Sequence, residues 1–415
     1  MPPQLRPNPN APDPTAGILF SKWSGLKNTV DAERLGPEEF ELAINMDLDD
    51  VGQPHRRRGY SLANSGIWSS LFEDDDGRVF GVQNGNLVLI NPDFSSVVLQ
   101  SGFPIPGPLM AWVQVGPTIY FSSRTNAGKI NRDTLEVTPW SGPNLSPPLA
   151  EGTPILVGGL PIVPPNPPTI VPPTNNFWYS PVVNPTATLP PIRGKLLGPP
   201  PLATCLGYFN GRIYLAQGRT VWWTELYLYD YVDKTKDYWQ FEAEVTMIGP
   251  VTDGIYVGTK EGVWFISRKF TMEARDMSAT RTRVMDFGVI PGSMVKVPSE
   301  LANPPQIPLQ QDQPVRMAII FMTTEGYCGG QDSGVCYNYS ESKFIFPRAI
   351  QAAAMFRRQD GVNQYVSVLD SEGGPADNAR IGSYVDAVLL KKGSWSTVKD
   401  HARMNDSASA TIISG

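Results

Sequence analysis

Histidine is the commonest general base and a frequent metal ligand. This chain of 415 residues has only two, His55 and His401, which lie 346 positions apart. His55 adjoins Arg56, Arg57 and Arg58, and His401 sits in a polar stretch. Neither pattern organises a His-centred metal site or a Ser–His pair, so both are expected at the surface. The sequence carries no Gly-rich phosphate loop ending in Lys-Ser/Thr, no GxSxG, no HExxH and no paired CxxC. Asp47, Asp49 and Asp50 have the composition of a calcium loop but not its twelve-residue spacing or closing Glu. Glycoside cleavage needs two carboxylates at a set spatial separation, and no pair is singled out here. The expectation is therefore no catalytic residues, no cofactor and no metal. The run Glu73-Asp74-Asp75-Asp76-Gly77 reads as the solvated approach to a hairpin.

Cys205, Cys328 and Cys336 are the only cysteines. An odd, low count is no disulfide framework and fits assembly in a reducing compartment. Cys328 and Cys336 flank a Gly-rich turn, and whether they bond depends on distance. The net charge is -6. Such a surface repels a phosphate backbone, which leaves transient, non-specific contact with passing DNA as the only expected nucleic-acid interaction. No apolar run reaches the roughly 18 residues of a membrane span, so no membrane insertion is expected. Arg56, Arg57 and Arg58 follow a stretch, Asp31 to Asp50, with eight acidic residues and one basic residue. The arginines read as the basic counterpart of that stretch, within the chain or between subunits.

The elements that position these residues are strands. Pro and Gly total 79 of 415 residues, about 19%, against a usual sum of roughly 12%, while aromatics reach 10% and charged residues only 18%. This composition predicts an all-β protein. An internal repeat sharpens the prediction. Arg78-Val79-Phe80-Gly81-Val82, Arg212-Ile213-Tyr214-Leu215-Ala216 and Gly254-Ile255-Tyr256-Val257-Gly258 are each followed by a Gly-containing turn. In each, a second apolar strand begins nine residues after the first residue named, at Leu87, Val221 and Val263. Looser copies start at Ile119, Met317 and Gln364, the last leading to Ile381–Tyr384. Hairpins recurring every 40–45 residues or so are the mark of four-stranded propeller blades. The expected fold is a β-propeller of six blades.

Around this scaffold the chain divides into an extended arm (1–16), an N-terminal assembly segment (17–66), the first blades (67–142), a proline-rich insertion (143–201), the remaining blades (202–400) and a C-terminal tail (401–415). A short helix is predicted near 37–45, where Pro37 precedes Phe40 and Ile44 at helical spacing. The insertion holds 18 of the 41 prolines and an aromatic knot, Phe177-Trp178-Tyr179. So many apolar groups are unusual in a free linker, which favours an arm that packs on a neighbour.

The opening Gly25-Leu26-Lys27-Asn28, then Leu42 to Asp50, Gly52 and Arg56-Arg57-Arg58-Gly59-Tyr60 resembles the start of a group of tailed-bacteriophage virion proteins. Phe287 to Ser293, Phe321 to Gly330, Phe344 to Pro347 and the stretch 358–365 extend the resemblance. The nearest family by function is the tail-nozzle, or tail tubular, proteins of short-tailed phages. The resemblance implies a structural subunit of the virion tail, forming a self-assembled ring, a hexamer, below the portal and adaptor proteins. Such a ring lines the DNA exit channel and supports tail fibres. Its expected assembly residues are Asp47, Asp49, Asp50, Arg56, Arg57, Arg58, Phe177, Trp178 and Tyr179. The alternative is a propeller that binds or cleaves host-surface glycans, for which Trp222 and Trp223 would be exposed platforms. A host-encoded soluble scaffold is a third reading.

Overall fold

The computed structural model describes residues 23, 25–27, 30–40, 46–48, 53–56, 61–105, 109–141, 155–157, 160–162, 177–179, 195–234, 236–267, 281–299, 317–340, 349–359, 362–371, 385–391, 394–400 and 413–414. The fold is all-β, a propeller of six four-stranded antiparallel sheets among these residues. Sheet 1 comprises Trp68–Glu73, Val79–Gln83, Asn86–Ile90 and Ser96–Ser101. Sheet 2 comprises Ala111–Val115, Thr118–Ser122, Ala127–Asn131 and Val137–Pro139. Sheet 3 comprises Cys205–Phe209, Arg212–Gln217, Thr220–Trp223 and Tyr238–Gln240. Sheet 4 comprises Val245–Pro250, Gly254–Thr259, Val263–Ser267 and Arg281–Met285. Sheet 5 comprises Val295–Pro298, Met317–Thr323, Gly326–Gly330 and Cys336–Asn338. Sheet 6 comprises Ala349–Gln359, Val362–Ser371, Val385–Lys391 and Ser394–Asp400. Each sheet pairs its strands in chain order. The repeated hairpin of the sequence is the second and third strand of every sheet. In sheet 6 the return strand is Val385–Lys391, just beyond Ile381–Tyr384, which lie outside the described residues.

Several of these middle strands bury apolar side chains on both faces, because both faces are covered. On Met317–Thr323, Ala318, Ile320 and Met322 pack toward Ala352, Tyr365 and Leu369 of sheet 6. Ile319 and Phe321 of the same strand point the other way, toward Tyr256 and Phe265 of sheet 4. Arg212–Gln217 behaves alike: Tyr214 and Ala216 join a core with sheet 4, Ile213 and Leu215 one with sheet 2. A strand side chain alternates faces with period two, so a sheet sandwiched between two others reads as a continuous hydrophobic run.

The N-terminal segment departs from expectation. Residues 37–40 form a turn followed by the strand Glu39–Phe40, not a helix, and 41–45 lie outside the described residues. That strand pairs in parallel with Gly25–Leu26. Lys27 Nζ meets Glu39 Oε1 at 3.0 Å, and Trp23 stacks on Phe40 with centroids 4.2 Å apart. Phe40 also packs against the core between sheets 5 and 6. A nine-residue stretch is below the length at which helix propensity decides, and burial of Phe40 settles the backbone. The strands Gly25–Leu26 and Met46–Leu48 lie against Ser394–Asp400 of sheet 6. Further along, Ser61–Leu62 pairs with Ile413–Ser414. Among the described residues no helix is long and apolar enough to cross a membrane.

Candidate assembly surface

Two regions outside the sheet cores carry the residues singled out for assembly. The first is a hairpin, Met46–Leu48 against Pro54–Arg56. Its register sets Asp47 opposite His55 and Met46 opposite Arg56, so one residue of the acidic stretch and one of the basic cluster lie on the two strands of one element. Pro54, His55 and Arg56 are exposed. Asp49, Asp50, Arg57 and Arg58 fall outside the described residues, as does His401.

The second region is the root of the proline-rich insertion. Within the insertion, Ile155–Val157 pairs with Leu160–Ile162. The aromatic knot Phe177–Tyr179 is a strand, paired with Lys195–Leu197 so that Trp178 stands opposite Leu196. The next residue, Gly198, exchanges backbone hydrogen bonds with Val232 of sheet 3, at 3.0 and 2.9 Å. At the other end of the insertion, Trp140 Nε1 donates to the Tyr229 carbonyl at 3.0 Å. Both ends of the insertion are thus tied to the loop 224–237, which joins the third and fourth strands of sheet 3.

That loop was not read from the sequence as a feature of its own. Tyr229 lies edge-on to both Tyr120 and Tyr208, with centroids 6.0 Å apart in each pair. Tyr120 in turn tilts against Trp140 at 5.0 Å. Burial pushes the ionisation of Tyr120 and Tyr229 well above the usual tyrosine value. Lys129 Nζ closes the cluster on Asp230 at 2.7 Å. At the loop's tip Leu226, Tyr227 and Leu228 are 48%, 68% and 43% exposed. Tyr227 has φ 59°, and its N–H donates to the Gly211 carbonyl at 2.9 Å. Gly211 itself has φ 76°, and a Cβ there would meet Leu226 Cδ1 at 2.8 Å and Tyr227 Cε1 at 2.9 Å. The run of alternating Leu and Tyr, Leu226-Tyr227-Leu228-Tyr229, was the signal available in the sequence.

Other expectations are corrected. Trp223 is 2% exposed and packs with Tyr214 and Trp239, while Trp222 is half-buried against the core of sheets 2 and 3. They are packing residues, because sheet 3 is covered on both sides, and neither is an exposed glycan platform. The Glu73–Gly77 run is not simply solvated. Asp74 is buried and accepts from the backbone N–H groups of Asp76 and Arg78 and from Arg78 Nε at 3.0 Å, with Arg132 Nε at 3.4 Å. Cys205, Cys328 and Cys336 are not joined in a disulfide. Cys336 Sγ instead approaches Met285 Sδ at 3.2 Å, and burial pushes its thiol well above its usual range. Among the described residues no group of three or more His, Cys, Asp or Glu is placed to hold a metal ion.

The geometry defines a propeller with two elaborations on its flank. No family model matches the chain, and no curated protein does. Among solved structures, the chain is similar to the extracellular domain of a hybrid two-component system from B. thetaiotaomicron, with 9% identity and a TM-score of 0.40. That match covers 85% of this chain and 36% of the other, so the chain spans little more than a third of that protein. It is also similar to a chain of the mitotic checkpoint complex, at 8% identity and TM-score 0.42, covering 88% of this chain and 89% of that one. Virginiamycin B lyase from Staphylococcus aureus matches at 10% identity and TM-score 0.35, covering 80% and 95% respectively. Likenesses this distant carry no functional argument.

Proposed function

We propose that this chain is a structural virion protein, a subunit of a phage tail nozzle that forms a ring below the portal and adaptor. The observation that carries the reading is where the motif-bearing opening segment sits. Gly25–Leu26 and Met46–Leu48 lie against the outer strand of sheet 6, and the adjoining Pro54–Arg56 strand keeps His55 and Arg56 exposed. A charged strand pair fixed to the flank of a rigid scaffold suits contact between neighbouring subunits, where heterologous contacts close into a ring. The insertion rooted on sheet 3 supplies a second overlap. The net charge of -6 suits a wall past which DNA slides.

The reading is tested by mixing the purified chain with its adaptor ring and measuring mass by sedimentation. A closed oligomer is expected. A chain that stays monomeric with the adaptor present, or a particle reconstruction that places it outside the tail and neck, overturns the proposal.

A further inference from the structure

We propose that Cys328, Cys336 and Met285 form a binding site for a soft monovalent cation, Cu(I), in the core between sheets 4 and 5. Cys336 Sγ and Met285 Sδ lie 3.2 Å apart, so a thiol of sheet 5 and a thioether of sheet 4 meet across the seam. Both residues are half-buried, each on the outer strand of its sheet. Cys328, on the neighbouring strand of sheet 5, is fully buried, and its Sγ lies 3.6 Å from Thr323 Oγ1. The register puts the three sulfurs on one side of sheet 5. Cys336 stands opposite Gly330 and Gly330 opposite Ile319, while Cys328 stands opposite Phe321. Directly opposed residues share a face of a sheet. Ile319, Phe321 and Cys328 belong to the core shared with sheet 4, and Cys336 and Met285 pack against that same core.

Spacing and donor type select the occupant. Cys328 and Cys336 are diagonal neighbours on paired strands, an arrangement that sets Cα atoms about 7–8 Å apart. A disulfide needs roughly 4.4–6.8 Å, so the two sulfurs are too far apart to bond directly. An ion held between them adds a second bond to the span and fits the wider gap. Two thiolates and a thioether are soft donors, which favour Cu(I). Structural zinc takes four ligands, drawn from Cys, His, Asp and Glu, and among the described residues no three of these converge. The third donor here is a methionine, which lies outside zinc's usual set and inside that of Cu(I). On binding, each thiol gives its proton to solvent and its thiolate takes the ion, so no oxidant or reductant is consumed. The filled site would tie the outer strand of sheet 4 to that of sheet 5, in a monomer and in a ring alike.

The test titrates Cu(I) into the full chain, its thiols reduced beforehand, in oxygen-free buffer against a chromogenic Cu(I) chelator of known affinity. One equivalent should bind and leave the chelator, with thiolate-to-copper absorption rising in parallel. Affinity should fall at least about tenfold in Met285→Leu, the lower end of the loss seen even for residues that only support a metal ligand. Leu conserves the volume of Met, so this variant should keep the fold. Cys328→Ser and Cys336→Ser should each weaken binding further, whereas Cys205→Ser, which lies in the core between sheets 3 and 4, should bind as the parent does. Copper should raise the melting temperature of the parent, because it binds the folded site alone, and leave that of Cys336→Ser unchanged. X-ray absorption at the copper of the loaded parent needs no variant and should show a first shell of three sulfurs. A chain that binds no Cu(I), a first shell containing nitrogen or oxygen, or affinity unchanged in any of the three site variants overturns the site. Loss of binding in Cys205→Ser overturns it as well. Zn(II) that displaces the bound ion at equal concentration overturns the assignment to Cu(I).

Discussion

A tyrosine inside a sheet core must find a partner for its hydroxyl, because an unpaired buried polar group is costly. Here the pairing links neighbouring sheets. Tyr256 of sheet 4 donates to the Val335 carbonyl of sheet 5 at 2.9 Å and also reaches Gln331. Tyr365 of sheet 6 donates to the Ser293 carbonyl, and Tyr327 pairs with Ser367. Tyr256→Phe should cost about 1 kcal/mol, the net worth of a typical hydrogen bond whose acceptor, the exposed Val335, water can reach, read as a lower urea midpoint at unchanged m-value. Burial raises the ionisation of Tyr120, Tyr256, Tyr327, Tyr339 and Tyr365. A raised folded pKa favours the protonated form in the native state. Its stabilising contribution is full below the unfolded value, near pH 10, and is lost as pH rises above it. Melting temperature should therefore fall through pH 10–11, with tyrosinate absorbance appearing together with unfolding. Absorbance that rises while the fold stays intact would contradict this. Asp74 is a carboxylate with a fully buried side chain that accepts from Arg78 Nε and lies 3.4 Å from Arg132 Nε. Asp74→Ala should cost about 1–3 kcal/mol, because it removes the acceptor of the Asp76 and Arg78 N–H groups and of Arg78 Nε, while both arginines keep Asp76.

At the scale of elements, turns fix register and loops carry the surprises. Asn84 and Gly85, with φ 49° and 75°, form the two-residue turn joining the middle strands of sheet 1. A Cβ on Gly85 would lie 2.6 Å from the Phe103 carbonyl. Gly85→Ala should therefore destabilise by about 1–3 kcal/mol, combining the positive φ with that clash, and a urea titration would read it. The middle hairpins were legible because they combine Gly-bearing turns with strands that are apolar on both faces. The fourth strands, such as Ser96–Ser101 with Val97 and Val98 exposed, have no such signature. The predicted helix does not form at 37–40, where Phe40 is claimed by a distant core between sheets 5 and 6, which no local pattern encodes. The pairing of Asp47 with His55 is in keeping with the turn that the sequence suggests at Val51-Gly52-Gln53-Pro54, of which 51 and 52 lie outside the described residues. The loop 224–237 stayed hidden because its tyrosines meet partners from residues 120, 140 and 208, far away in sequence.

At the scale of the whole molecule, six stacked sheets need something to hold the ends of the series. Successive sheets share cores from sheet 1 to sheet 6. The pair Ser61–Leu62 with Ile413–Ser414 joins the residues just before sheet 1 to those beyond sheet 6. Its register, Leu62 to Ile413 and Ser61 to Ser414, adds few hydrogen bonds. Its leverage is entropic instead, since tying distant parts of a chain lowers the freedom of the partly unfolded states. Removing residues 410–415 should therefore cost little in the cores of sheets 2 to 5. Sheet 6 and the strands Gly25–Leu26 and Met46–Leu48, which lie against its outer strand, should open first. Hydrogen exchange measured by peptide would show faster exchange in 25–62 and 385–400, with protection kept at 213–223 and 255–266. Uniformly faster exchange across all six sheets would mean that the pair supports global stability instead. Deleting 143–194 is the complementary cut. It spares the Gly198–Val232 bridge and sheets 1 to 6, so the melt should be unchanged while, on the proposed ring reading, assembly on the adaptor weakens. A deletion that leaves assembly at full strength would assign the ring contacts to the Pro54–Arg56 hairpin alone.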